Sequence, residues 1–168
     1  MGNTGRIRTA MDIAIQITEE GDWTKVTYIG PINEESEIHL SQLLGRLGKR
    51  CLFNFKQVEY VNSCGVRGWI NFMREAEKGR EVVFEECTSE IVMQMNMIPS
   101  FRGSARVKSV YASYVCDNCQ HHANVLFERG KNLPETGNAA IEPRMCPECD
   151  AEMEMEELED EFFAFTAA

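Results

Sequence analysis

Two C-x-x-C pairs, Cys116-Asp117-Asn118-Cys119 and Cys146-Pro147-Glu148-Cys149, constrain this chain more than any other feature. In a reducing compartment, cysteines at this spacing are metal ligands more often than disulfides. Each pair can fold into a knuckle whose turn aims two sulfurs and several N–H groups at one ion. Two knuckles complete a closed tetrahedral shell, so Cys116, Cys119, Cys146 and Cys149 are expected to hold a structural Zn²⁺ rather than a catalytic one. A rubredoxin-like iron site and a thiol–disulfide pair are the other chemistries these sulfurs allow. His121 and His122 are surplus to a four-sulfur shell and are expected on the surface. The other three cysteines, Cys51, Cys64 and Cys87, lie singly in the first two thirds of the chain.

The charge pattern breaks just before the first pair. Residues 1–113 hold 14 Lys+Arg and 14 Asp+Glu, whereas residues 114–168 hold three basic and thirteen acidic residues, the whole of the net charge of −10. This break divides the 168 residues into two expected domains, 11–113 and 114–168. The second is similar to a zinc ribbon, with strands expected over residues 123–128 and 152–155 and a polar, flexible loop over 130–141. The 26 residues between the pairs, 120–145, slightly exceed the usual ribbon spacing but suit a hairpin. A unit this small buries too little to fold unaided, so metal ligation is expected to supply much of its folding free energy. Zinc ribbons often touch nucleic acid, but phosphate binding needs clustered cations. Here acids dominate, and four thiolates around one Zn²⁺ add two further negative charges, so nucleic acid is not an expected partner. The acidic tail ends in Phe162-Phe163-Ala164-Phe165, which suits either a docking motif or packing; packing, into the ribbon core or onto the first domain, is the expectation.

No apolar run approaches the ~20 residues that span a bilayer. Residues 1–6 lack the Ser or Thr of a myristoylation signal, and no hydrophobic signal core follows. A cytoplasmic protein is expected, with no membrane partner.

Residues 1–10 are polar and read as loose. Residues 12–18 alternate, with Ile13, Ile15 and Ile17 on one face, and residues 23–29 alternate again across a Glu19-Glu20-Gly21-Asp22 turn, so a hairpin is predicted. Gly30-Pro31 is expected to stop the second strand. Asn33 is placed to cap a helix that buries Leu40, Leu43, Leu44 and Leu47 and closes at Gly48-Lys49-Arg50; Glu34, Glu35 and Glu37 suit its positive end. His39, with no ligand partner in register, is read as a surface residue. Cys51-Leu52-Phe53-Asn54-Phe55 is too short and too aromatic for a helix and reads as a buried strand.

After Glu59-Tyr60-Val61-Asn62-Ser63-Cys64-Gly65-Val66 the period changes. Val66, Trp69, Ile70, Met73 and Ala76 recur at helical spacing, Ser63 is placed to cap, and Gly79 to close. A short polar turn is displayed between strand and helix, or is simply a packing turn with an ordinary cap. Residues 81–85 form the next strand. Thr88 or Ser89 then caps a helix with Ile91, Val92, Met95 and Ile98 inward, ended by Pro99. Met93, Met95 and Met97 are read as core rather than as a soft binding surface. Residues 105–115 alternate as one long strand running into Cys116. Strands alternating with helices predict an α/β fold with a mixed sheet, and no phosphate-binding glycine motif is present.

The element order and the turn at 62–65 resemble the STAS domain (sulphate transporter and anti-sigma-factor antagonist) over roughly residues 11–112. The likeness is carried by Gly30, the Leu-rich first helix, Phe53-Asn54-Phe55, Asn62-Ser63-Cys64-Gly65 and Gly79. In bacterial regulatory members of that family a strand leads into Asp-Ser-Ser-Gly or Asp-Ser-Thr-Gly and then an apolar helix. The resemblance implies a protein partner, often a GHKL-type anti-sigma kinase, released when the second Ser or Thr of the turn is phosphorylated. That position is Cys64 here, and Asn62 stands at the acidic one. A thiol is not a substrate for a Ser/Thr kinase. Cys64 is therefore either a filler that leaves the module permanently unphosphorylated or an oxidisable thiolate near a helix N-terminus. With Arg67 as its only basic neighbour and no obvious resolving cysteine, the filler is preferred.

The expectation is a non-enzymatic regulatory interaction module that meets its protein partner, an anti-sigma-type kinase among the candidates, through Asn62, Ser63, Cys64, Gly65 and Arg67. A thiol-based redox sensor or enzyme acting through Cys64 is the alternative. The sequence leaves oligomeric state open.

Overall fold

Apolar alternation lays β1 (Ala14–Glu20) against β2 (Trp23–Ile32) as an antiparallel hairpin, with Ile15 opposite Tyr28 and Ile17 opposite Val26. Gly21 takes the left-handed φ of +61° that the tight turn between them requires. The computed structural model describes residues 12–136 and 140–167. The polar lead-in at residues 1–10 and part of the 130–141 loop lie outside them.

From β2 the chain makes three successive crossovers. α1 (Ser36–Leu44) leads to β3 (Arg50–Val61), α2 (Ser63–Ala76) to β4 (Glu81–Glu85), and α3 (Ser89–Met97) with the short α4 (Pro99–Arg102) to β5 (Arg106–Val107). β2, β3, β4 and β5 run parallel, in the order β1-β2-β3-β4-β5. The fold is α/β with a mixed sheet, as the alternation of elements predicts. One face of the sheet carries Val26, Tyr28, Phe53, Phe55, Val82 and Phe84, all buried under the helices. Trp69 of α2 is fully buried among them, edge-on to Phe53 and Phe55 and stacked on Phe101, whose carbonyl accepts its indole N–H at 2.9 Å.

Several local expectations are corrected. Gly30-Pro31 does not stop β2; irregular pairing with β3 between Gly30 and Ile32 lets the strand continue to Ile32. α1 ends at Leu44, with Leu47 only partly buried beyond it, and no side chain caps its start. Asn33 instead accepts a hydrogen bond from the Glu35 N–H, a local turn before the helix. Phe72, outside the predicted apolar stripe, is buried. Of the three methionines of α3 only Met95 enters the core, while Met93 and Met97 are exposed.

The largest correction concerns residues 105–115, which form two strands rather than one. β5 ends at Val107, and β6 (Ser109–Val115) leaves the first sheet for a second one of order β7-β6-β9-β8. There it pairs antiparallel with β7 (His122–Glu128) and β9 (Glu152–Met155), and β9 pairs with the two-residue β8 (Arg144–Met145). Around Lys108 the backbone stays tied to the first sheet, through Lys108 N–H to Phe84 O (2.7 Å), Cys87 N–H to Ser109 O (3.1 Å) and Tyr111 N–H to Cys87 O (2.8 Å). The tail, α5 (Glu159–Phe162) and a 3-10 turn (Phe163–Ala167), returns to α3. Phe162, Phe163 and Phe165 are buried, and one apolar cluster runs from Val26 through both sheets to Phe165.

Candidate metal centre and the displayed turn

β6 delivers Cys116 at its end, and the β8–β9 hairpin delivers Cys146 and Cys149 opposite it. The two knuckles close with the same hydrogen bonds. The N–H of the fourth residue after the first cysteine donates to that cysteine's carbonyl, Gln120 to Cys116 at 2.7 Å and Asp150 to Cys146 at 3.0 Å. The first cysteine's own N–H donates to the residue after that, Cys116 to His121 O at 2.9 Å and Cys146 to Ala151 O at 2.7 Å. Gln120 and Asp150 both sit in the left-handed region, at φ +61° and +59°. Sequence reasoning missed these two positions. The signal was positional, the fourth residue after each leading cysteine, and neither carries the glycine that usually marks such a conformation.

The four sulfurs lie within 4.8 Å of one another. Cys116 Sγ and Cys149 Sγ are 3.5 Å apart, and Cys119 Sγ and Cys146 Sγ 3.6 Å. A disulfide would need ~2.05 Å, and all seven cysteines are free thiols. A tetrahedron with metal–sulfur bonds of ~2.3 Å has edges of about 3.8 Å, so the observed spacings fit a four-sulfur shell that could hold a metal ion. The predicted ligand set is thus brought together as read. Among themselves the thiols compete for protons. The Asn118 side chain, the Ala151 N–H and Cys116 hold Cys149 down to about 6. A backbone hydrogen bond at His121 favours the Cys119 thiolate, yet desolvation and the hydrogen bonds shared with Cys146, Cys149 and Cys116 push it up to about 12. A cation among the sulfurs removes this competition, since metal binding releases the thiol protons. His122 is exposed, with Nδ1 3.3 Å from Glu156 Oε1, and His121 is half-buried; neither joins the sulfur cluster.

The turn at 62–67 lies at the far end of β3 from Cys51. Asn62, not Ser63, is the cap of α2: its backbone is extended (φ −107°, ψ 173°) and its Oδ1 accepts the Gly65 N–H at 2.8 Å. Its Nδ2 donates to Glu34 Oε2 at 2.9 Å, tying the turn to the loop before α1. Gly65 is buried, and a β-carbon there would stand 2.0 Å from Ile32 O. Ser63, Cys64 and Arg67 are exposed on the first turn of α2. Of the other isolated cysteines, Cys51 and Cys87 are both fully buried.

Among the described residues, no helix is long and apolar enough to cross a membrane. No protein-family model matches the chain, and no curated protein sequence matches it.

Proposed function

We propose that this chain is a non-enzymatic regulatory module of the anti-sigma-factor-antagonist kind, which binds a protein partner through the first turn of α2 and carries a structural zinc ion. One observation carries the reading: Ser63, Cys64 and Arg67 are held out to solvent on a turn whose own backbone is clamped by Asn62 and Gly65. A rigid scaffold under exposed side chains suits recognition. With Cys64 at the position where the resembling family is phosphorylated, the module stays in its partner-binding state without a phosphate switch. Zinc is favoured at the sulfur cluster because an all-thiolate, closed four-donor set suits it and leaves no position for substrate. The partner is a protein, an anti-sigma-type kinase by resemblance, and the setting is cytoplasmic.

Affinity capture with wild type, Ser63→Glu and Arg67→Glu tests the surface, with native mass spectrometry for the metal. A partner held by wild type and lost by both variants, with one Zn²⁺ per chain, is the expected result. Capture unaffected by either variant would place recognition elsewhere. The second reading, redox sensing, draws on the exposure of the Cys64 thiol. It prevails if peroxide abolishes capture by wild type but not by Cys64→Ser.

A further inference from the structure

Six large apolar side chains are exposed among the described residues: Ile38, Tyr60, Met93, Met97, Met145 and Leu158. Three of them, Met93, Met97 and Leu158, line one groove of about 600 Å³ between α3 and the segment entering α5. Met93 and Met97 lie one helical turn apart and are 45% and 68% exposed, whereas Met95 between them turns into the core. Leu158, 69% exposed, forms the facing wall at the start of α5. Singly exposed apolar residues need no explanation, but half of them gathered in one concavity mark an interaction site. Unbranched, polarisable methionines can adapt to a partner's surface.

The chemistry of the groove selects the occupant. Glu90, Glu157 and Glu161 line it, and no Lys or Arg does. Two acceptors of its lining residues, Asn96 Oδ1 and Glu157 Oε2, are buried without a donor among the described residues, a state that costs the desolvation of each group. Anionic lipid or nucleic acid would meet like charge. A two-fold dimer through this face would set one glutamate rim against another. An apolar stripe flanked by cations satisfies both the methionines and the carboxylates.

We propose that the α3–α5 groove receives a basic amphipathic helix of a protein partner, with its apolar face on Met93, Met97 and Leu158 and its Lys or Arg side chains on Glu90, Glu157 and Glu161. This helix-in-groove mode uses a surface separate from the α2 turn and does not rest on the role given to that turn.

The test uses the full chain with ¹³C-methyl methionine and a synthetic Leu/Lys amphipathic helix as the probe; an equally apolar Leu/Glu helix is the control. The Lys peptide is expected to bind saturably, to shift the Met93 and Met97 methyl resonances more than that of Met95, and to weaken as salt rises. Met93→Gln/Met97→Gln, both at exposed positions, should raise Kd at least about tenfold with the melting temperature unchanged. Glu157→Gln/Glu161→Gln should weaken binding several-fold and flatten its salt dependence. Binding that leaves the Met93 and Met97 methyls unmoved, that survives both double variants, or that is matched by the Leu/Glu helix overturns the proposal. So does concentration-dependent self-association that Met93→Gln/Met97→Gln abolishes, since the occupant would then be a second copy of the chain.

Discussion

A single hydrogen atom at Gly65 decides how α2 meets β2. Any β-carbon there would stand 2.0 Å from Ile32 O and 2.6 Å from Asn33 N, so backbone rather than a flexible side chain would have to move. Gly65→Ala is expected to destabilise the fold by about 3 kcal/mol or more, at the severe end for a point change, as a fall in the urea midpoint. Asn62→Ala should cost about 1 kcal/mol, because it removes the side-chain cap of α2, and should also release Glu34. Ser63→Ala should stay within about 0.5 kcal/mol, as for an ordinary surface change. A larger loss at Ser63 than at Asn62 would return the cap to the serine. Composition alone could not choose between them, since serine and asparagine cap equally well. The extended backbone at Asn62 settles it, and that is a property of how β3 ends rather than of the residue's chemistry.

Between elements, Glu85 joins the strands on the face of the first sheet opposite the helices. Its carboxylate accepts from Asn54 (3.0 Å) and pairs with Lys25 and Lys108, each at 3.0 Å, while almost fully buried. Desolvation pushes the Glu85 carboxyl up, but the hydrogen bonds from Asn54, Lys25 and Lys108 outweigh it and hold it below its ordinary value of 4.5. The folded chain therefore binds that proton less tightly than the unfolded one. Its contribution to stability is full above pH 4.5 and is lost as pH falls through the folded value. Lys25 is raised above 10.5, chiefly by its hydrogen bond to Glu85, so its contribution is full below pH 10.5 and fades as pH rises through the folded value. Glu85→Gln should lower the neutral-pH urea midpoint and flatten its decline on acidification; an unaltered acid limb would refute this assignment.

The C-terminal tail acts at the same scale. Asn96 Nδ2 donates to Glu161 O and Phe162 O, both at 2.9 Å, Arg102 Nη1 donates to Phe165 O at 3.0 Å, and Phe163 packs on Phe127 of β7. Phe163→Ala should cost about 3–5 kcal/mol, measured by urea unfolding, and a loss under 1 kcal/mol would mean that the tail merely lies on the surface. Periodicity made most elements legible, because Ile13, Ile15 and Ile17 share one partly buried face and Trp69, Met73 and Ala76 a buried one, while Val82–Phe84, buried on both faces, reads as a short apolar run. It could not see that the alternating run at 105–115 changes sheets at Lys108. The buried apolar positions slip by one there, from Ala105 and Val107 to Val110, Ala112 and Tyr114. Such a slip reads equally as a bulge within one strand, and the change of sheet is made by which strands stand beside each half. The four sulfurs were legible because their spacing is local to two turns. The Met93–Leu158 groove was not, since its walls are more than 60 residues apart in sequence.

At the scale of the molecule, the charge break near Tyr114 and the change of sheet at Lys108 fall within one strand of each other, yet the apolar interior crosses both. Val110, Ala112 and Tyr114 of β6 are buried, α3 packs against β6, and the phenylalanine tail reaches back to α3. If the sulfur cluster were a separate folding unit, removing its metal would melt the second sheet and leave the first untouched. The shared interior predicts otherwise. With an ion held there as proposed, its loss would leave Cys116 and Cys146, both buried, without a common partner, loosen the end of β6 and the β8–β9 hairpin, and so withdraw support from the surface of α3 that β6 and the tail cover. Stripping with a strong chelator under reducing conditions should therefore lower one cooperative transition, seen equally by far-ultraviolet circular dichroism and by the fluorescence of tryptophan, which includes the fully buried Trp69. Cys116→Ser should reproduce the shift without chelator. Calorimetry of the holo and stripped protein separates the two pictures. One peak displaced as a whole upholds the shared interior. A high-temperature peak left unchanged beside the loss of a small, earlier one would show two units that fold apart.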